Sequence, residues 1–292
     1  MFIALLETMR PRQWTKNFFV FPAIVFAQRL SDERAVVLTL AAFVIFCFLS
    51  SSVYIINDIA DAEQDRQHPT KRNRPIASGR LPVGVALAFS MLLAAFSIAL
   101  AFNINRQFVL YASLYLGLNL LYSFSLKHIV ILDVIMVAIF FVLRAVAGAA
   151  AINVEISHWL LICTFLLALF IAMSKRRHEL VLLEENASAH RASLTEYSPY
   201  LLDQMIAVVT ASTVMGYTLY TVDQDTVAKF GTDHLVYTVP FVVFGIFRYL
   251  YLIHQKGEGG DPDRIVISDR PFLINFLLWA VVVALAIYRR TW

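Results

Sequence analysis

Four residues in one short run, Asn57, Asp58, Asp61 and Asp65 in NDIADAEQD, have the type and spacing to do chemistry. Carboxylates three and four residues apart lie on one face of a helix, so Asp58, Asp61 and Asp65 read as one wall, with Asn57 a turn before Asp61. Like charges so placed repel. The run also ends an apolar helix, where the macrodipole disfavours anions, so a compensating cation is expected. A hard divalent ion is the economical choice, because Mg²⁺ takes oxygen ligands, commonly one or two carboxylates completed by waters and substrate phosphates. The plainer alternative is a solvated acidic helix end paired with neighbouring arginines.

The residues that follow, HPTKRNRPIASGR, carry His68, Lys71, Arg72, Arg74 and Arg80 among Pro69, Pro75 and Gly79. An acidic metal face followed at once by Lys and Arg forks suits a diphosphate; alone, the basic stretch is an ordinary cytoplasmic flank. A second polar run, MSKRRHELVLLEE, places Lys175, Arg176, Arg177, His178 and Glu179 after an apolar segment, with cations dominant. Lys16 in RPRQWTKN and Lys127 in YSFSLKH complete a rim of donors of phosphate-binding type. Asp133, Arg144 and Arg248 fall inside apolar runs, where charge is costly and marks either a partner or a function. Arg144 reads equally as a brace on neighbouring carbonyls or as a substrate contact.

The elements that must position these residues are membrane helices. Hydrophobic residues make up 59% of the 292 and charged ones only 15%, so a bilayer is the expected solvent. Apolar stretches near spanning length fall at 17–28, 35–56, 81–102, 107–124, 129–152, 156–173, 201–221, 235–253 and 271–288. The chain is therefore expected to be an all-α membrane protein of about nine transmembrane helices in a single polytopic domain, residues 1–292. The first stretch is short and contains Pro22, which predicts a tilted, kinked or incomplete span. Sixteen of the 24 Lys and Arg fall in segments on the side of the N-terminus and six on the other, with Arg144 and Arg248 inside spans. That excess predicts a cytoplasmic N-terminus, with the chemistry-bearing loops on the same side.

Other classes are disfavoured. A net charge of +3 without basic and aromatic residues interleaved argues against nucleic acid. Cys47 and Cys163, each in an apolar run, read as small hydrophobic residues rather than as a disulfide or a zinc site. Residues 1–9 are weakly apolar and precede Arg10, Arg12 and Lys16, the reverse of a cleavable signal, and are expected in the mature protein.

The motif of Asn57, Asp58, Asp61 and Asp65, with the turn of Arg74, Pro75, Ile76, Ser78 and Gly79, resembles the UbiA superfamily of membrane prenyltransferases. The resemblance spans essentially the whole chain and implies a UbiA-like bundle of nine helices in a bacterial cell membrane. It departs at one place: members typically carry a second aspartate-rich motif after the sixth helix, where this sequence has Lys175, Arg176, Arg177, His178 and Glu179. RPRQWTKN, HPTKR, YSFSLKH and VLRAVAG instead resemble the branch that transfers 5-phosphoribose from phosphoribosyl pyrophosphate to a polyprenyl phosphate, releasing pyrophosphate. In that branch the product leads to a lipid-linked arabinose donor. By this resemblance Asp58, Asp61 and Asp65 are catalytic and hold Mg²⁺. Lys16, Asn57, Lys71, Arg72, Arg74, Tyr122, Lys127, Lys175, Arg176 and Glu179 are its substrate-binding candidates, and the polyprenyl tail reaches membrane lipid between helices.

The implied chemistry is displacement at the anomeric carbon by a phosphate oxygen. A phosphate monoester is anionic near neutral pH, so electrostatics and alignment matter more than a general base, and no catalytic histidine is expected. Two alternatives stay open. One is a prenyltransferase using a prenyl diphosphate donor, against which the basic third loop argues. The other is a transporter, whose sites ordinarily sit near the midplane, where only Arg144 is deep enough.

Overall fold

The computed structural model describes residues 1–67, 71–184, 196–257, 265 and 268–288, and among these there are helices and turns but no strand. His68 and Pro69 of the basic loop, and Arg191, Arg264, Arg289 and Arg290 of the orientation count, lie outside the described residues. Two compact units divide the chain near residue 156.

The first unit contains α1 (Phe2–Met9), a 3₁₀ segment (Pro11–Val20), α2 (Pro22–Phe26), α3 (Glu33–Ala60), α4 (Ala62–Gln67), α5 (Val83–Ala101), α6 (Arg106–Phe124) and α7 (Leu132–Ala151). The second contains α8 (His158–Glu184), α9 (Pro199–Val222), α10 (Gln224–Phe230), α11 (Val239–Gln255) and α12 (Arg270–Tyr288). The protein is an all-α membrane protein: α3, α5, α7, α8, α9, α12 and the helical stretch His234–Gln255 are long and apolar enough to cross a bilayer. A further helix, α6, has 19 residues but carries Arg106, Gln107 and Asn119. The first stretch expected to span, 17–28, forms the end of the 3₁₀ segment and the five-residue α2 instead. Its length explains this, since a stretch of about a dozen residues does not cover 30 Å of hydrocarbon as a helix.

Within the first unit α3 and α7 are the most buried spans, whereas α5 turns Val85, Met91, Leu92 and Phe96 outward as a lipid-facing surface does. Edge-to-face rings fill the centre: Phe46 meets Phe108 (5.9 Å between centroids) and Tyr115 (5.2 Å), and Phe140 meets Tyr115 (5.9 Å) and Tyr122 (5.6 Å). Small polar residues close the α3–α5 contact: Ser52 Oγ donates to the Ser90 carbonyl (3.1 Å) and Ser90 Oγ to the Ser52 carbonyl (3.0 Å).

The 3₁₀ segment is strapped to this core by polar contacts. Trp14 Nε1 donates to Ser51 Oγ (3.0 Å), and Asn17 Nδ2 donates to Ser50 Oγ (3.2 Å). Buried Arg144 donates to Asn17 Oδ1 (2.8 Å), to the Phe140 carbonyl (2.9 Å) and to the Tyr115 hydroxyl (2.7 Å). Arg144 thus braces the segment, α6 and α7 together.

At Gly148 the Val20 backbone comes so close that an added Cβ would fall 2.1 Å from the Val20 carbonyl oxygen. Gly148→Ala is therefore expected to destabilise the protein by about 1–3 kcal/mol, the usual range for overpacking. A melting temperature in detergent equal to that of the wild type would contradict this.

Candidate active site

The acidic run and its cations lie together in the first unit. The continuous helical face expected for the three carboxylates is interrupted: α3 ends at Ala60, Asp61 is its C-cap (φ −94°, ψ 3°), and α4 starts at Ala62. Asp58 and Asp65 share one cation. Arg74 Nη1 stands 3.0 Å from Asp58 Oδ1 and 2.6 Å from Asp65 Oδ2, and Arg10 also donates to Asp58 Oδ1. Asp61 takes another, since Lys127 Nζ lies 2.5 Å from its Oδ1. The pairing with neighbouring arginines, the plainer alternative for an acidic helix end, is thus present at Asp58 and Asp65.

Local structure explains how these cations arrive. Arg74 opens a tight turn in which the Ser78 amide donates to the Arg74 carbonyl (2.9 Å) and the Leu81 amide to the Pro75 carbonyl (2.9 Å). Gly79 has φ +76°, a conformation natural to glycine, and buried Ile76 and Leu81 pin the turn against Ile55 and Ala86. Arg10, the C-cap of α1, adopts a left-handed conformation (φ 53°) that ends the helix beside Asp58, and its guanidinium lies 5.5 Å from the Tyr54 ring centre.

Lys127 sits on a 3₁₀ turn (Leu126–His128) and is buried, as is Asp133 in the first turn of α7, where the helix dipole favours a carboxylate. Between them Ile131 has φ 69° and ψ −45°, and the Leu132 amide donates to the Val130 carbonyl (2.8 Å). This is the rare γ-turn, centred on a β-branched residue, and such strain typically costs about 1–3 kcal/mol. Glycine would relieve it at an entropic cost of about 0.5–1 kcal/mol, so Ile131→Gly is expected to raise the melting temperature slightly. A clear fall would mean that the conformation is unstrained.

Asn57 and Lys71 are half-buried, and Arg72 is exposed. Lys16 donates to Gln13 Oε1 (2.7 Å). Tyr122 is a core ring, edge-on to Phe140. In the second unit Arg176 is buried and donates to Glu179 Oε2 (2.6 Å), and Lys175 is half-buried.

Two ion-pairing residues were not singled out from the sequence. Arg10 stood there only as a flanking charge and as the first residue of RPRQWTKN. Asp203, near the start of α9, accepts from Arg177 and lies 3.2 Å from His254 Nε2, so it draws α8, α9 and α11 together. Its signal was available, as an acid inside a stretch read as a span. Arg248, also within a span, forms a two-pronged pair with Asp269 (3.1 and 2.8 Å), and this hydrogen bonding holds the Asp269 carboxyl below the usual carboxylate range.

Among the described residues no three His, Cys, Asp or Glu side chains are grouped to hold one metal ion. Asp58 and Asp65 nevertheless converge on a single positive nitrogen, and two carboxylates completed by waters and phosphate oxygens are an ordinary Mg²⁺ environment. The donor set fits such an ion with these two as protein ligands.

The UbiA prenyltransferase family model matches residues 17–265. The chain belongs to this family. Decaprenyl-phosphate phosphoribosyltransferase of Corynebacterium glutamicum is 36% identical over 292 residues, covering 97% of this chain and 86% of that protein. The enzyme of the same name from Mycolicibacterium smegmatis is 35% identical, covering 97% of this chain and 92% of that protein. A UbiA homologue from Archaeoglobus fulgidus, solved with GPP and Mg²⁺, superposes with a TM-score of 0.73 at 20% identity, covering 97% and 99% of the two chains. That superposition establishes the shared fold.

Proposed function

We propose that the protein transfers 5-phosphoribose from phosphoribosyl pyrophosphate to a polyprenyl phosphate such as decaprenyl phosphate, with release of pyrophosphate. The observation that carries this reading is the similarity, over nearly the full length, to relatives named for that transfer. The cationic run at Lys175 and Arg176, where the prenyl-transferring members of the family have a second acidic motif, is consistent with it.

In the reaction a phosphate oxygen of the lipid bonds to ribose C1 as the bond from C1 to the pyrophosphate oxygen breaks, and pyrophosphate leaves with the electron pair. Asp58 and Asp65 would hold Mg²⁺, which when bound neutralises charge on the leaving pyrophosphate. Arg74 and Arg10, which pair with those carboxylates, are proposed to donate to phosphate oxygens of the substrate beside them. Lys127 anchors Asp61 and so fixes the turn between α3 and α4. Lys16, Lys71, Arg72, Lys175 and Arg176 are further proposed phosphate contacts. No side chain need act as a strong base, because the attacking phosphate is already ionised.

The test is to supply purified protein in detergent with phosphoribosyl pyrophosphate and polyprenyl phosphate, or with a prenyl diphosphate and an aromatic or glycerol-phosphate acceptor, and to follow pyrophosphate release. Release with the first donor is expected; use of the prenyl diphosphate alone would transfer the assignment to an ordinary prenyltransferase.

The active face is proposed to be cytoplasmic, from the Lys and Arg excess. In a background with Cys47 and Cys163 replaced, single cysteines at exposed Ser78 and Asp233 should label from opposite sides of the membrane. Labelling of both from one side would break the topology.

A further inference from the structure

Around Asp58 and Asp65 the buried and exposed partners divide by sign. The two carboxylate side chains are 3% and 5% exposed, whereas those of Arg10 and Arg74 are 24% and 27% exposed. The acids are therefore fixed in the protein and the cations approach them from the accessible side. The Asp61 pair is built the other way, with Lys127 at 5% and Asp61 at 16%. Two carboxylates and two guanidiniums also make a set without net charge, so the anionic character that would attract a divalent ion is already spent. Any ion between Asp58 and Asp65 needs oxygens that Arg74 Nη1 already holds at 3.0 and 2.6 Å.

We propose that Arg74, backed by Arg10, is a displaceable stand-in for the metal, occupying the cation position between Asp58 and Asp65 and competing with the divalent ion for it. The inference rests on the reading that these two aspartates hold Mg²⁺. Physically the arrangement solves a storage problem. Two buried carboxylates without a cation would repel each other and lose their hydration, and Arg74 satisfies both. Because the guanidinium lies on the accessible side, it leaves without unpacking α3 or α4. Once displaced it is a two-pronged donor beside the metal, where oxyanions of a phosphorylated substrate replace the carboxylates as its partners. Metal entry and presentation of an arginine to the substrate then become one exchange. Lys127, enclosed in the protein, takes no part in it.

The competition is read directly by titrating full-length, metal-stripped protein in detergent with Mn²⁺ alone and following the electron paramagnetic resonance signal of the free ion. Arg74→Gln removes the competing charge and should tighten Mn²⁺ binding by at least about ten- to a hundred-fold, the worth of one of the two charge-assisted hydrogen bonds it makes. Adding Asp58→Asn to that variant should abolish the gain. If Arg74→Gln does not give monodisperse protein, Arg10→Gln serves in its place, with a smaller tightening in the same direction. Unchanged or weaker binding in the arginine variant, with Asp58→Asn still reducing it, would overturn the stand-in role and leave the metal reading intact. Mn²⁺ binding insensitive to Asp58→Asn in every background would overturn the metal reading, and this inference with it.

Discussion

Asp58→Asn should lower phosphoribosyl transfer by roughly a thousand-fold or more while leaving a folded protein. The substitution keeps the size of the side chain and one oxygen but removes the charge that Arg10, Arg74 or a divalent ion requires. Two costs must be separated. Breaking a fully buried ion pair costs about 3–5 kcal/mol in stability, but both guanidiniums are about a quarter exposed and regain water. The folding cost is then nearer that of a surface pair, about 1 kcal/mol or less. A thousand-fold rate loss corresponds to about 4 kcal/mol, so catalysis suffers well before the fold does. Asp65→Asn should behave similarly, since its carboxylate meets the same Arg74 nitrogen. Asp61→Asn differs because it takes the carboxylate from enclosed Lys127, so its loss falls on the melting temperature first. Pyrophosphate release and gel filtration, measured together on the three variants, check the ranking. A near-normal rate in Asp58→Asn would remove Asp58 from the active site.

What was legible in the sequence is what neighbours along the chain determine. The acidic run and the turn at Arg74 are local patterns, and apolar length is enough to locate α3, α5, α6, α7, α8, α9, α11 and α12, though not the short α10. Partner choice was not legible. Arg10 reaches Asp58 across 48 residues and Lys127 reaches Asp61 across 66, and no local periodicity reports such pairings. The same holds for Arg144, whose charge inside an apolar run signalled a partner but could not identify Asn17, 127 residues away. For the stretch 17–28 an incomplete span was among the expectations, but composition alone does not distinguish a tilted or kinked span from a segment strapped down by side chains. Trp14 and Asn17, which do the strapping, lie at or before its edge. The break at Asp61 was hidden for a related reason: nothing in NDIADAEQD punctuates the helix, and no glycine or proline marks its end. The anchoring of Asp61 by Lys127 accompanies that break in the fold.

Reversing the cationic run of the second unit separates the two enzyme readings. Lys175→Glu combined with Arg176→Glu should raise the apparent KM for phosphoribosyl pyrophosphate or for polyprenyl phosphate, or eliminate activity. Removing one charge-assisted hydrogen bond to phosphate costs about ten- to a hundred-fold in kcat/KM, and removing a second compounds the effect. Glu should be worse than Ala at both positions, because it adds repulsion to the missing attraction. A local explanation has to be excluded, since Arg176 Nη1 lies 2.6 Å from Glu179 Oε2 and Arg176→Glu would set two acids one turn apart. Adding Glu179→Arg restores an ion pair of opposite polarity at that spacing without restoring a cation at 176. If activity returns with the restored pair, Arg176 only holds the end of α8 in shape. If the melting temperature returns but the kinetic defect persists, while Glu179→Arg alone keeps a wild-type rate, the charge at 175 and 176 acts on substrate. A wild-type profile in the doubly reversed protein would make the run a topological anchor and remove the argument from charge for a phosphorylated sugar donor.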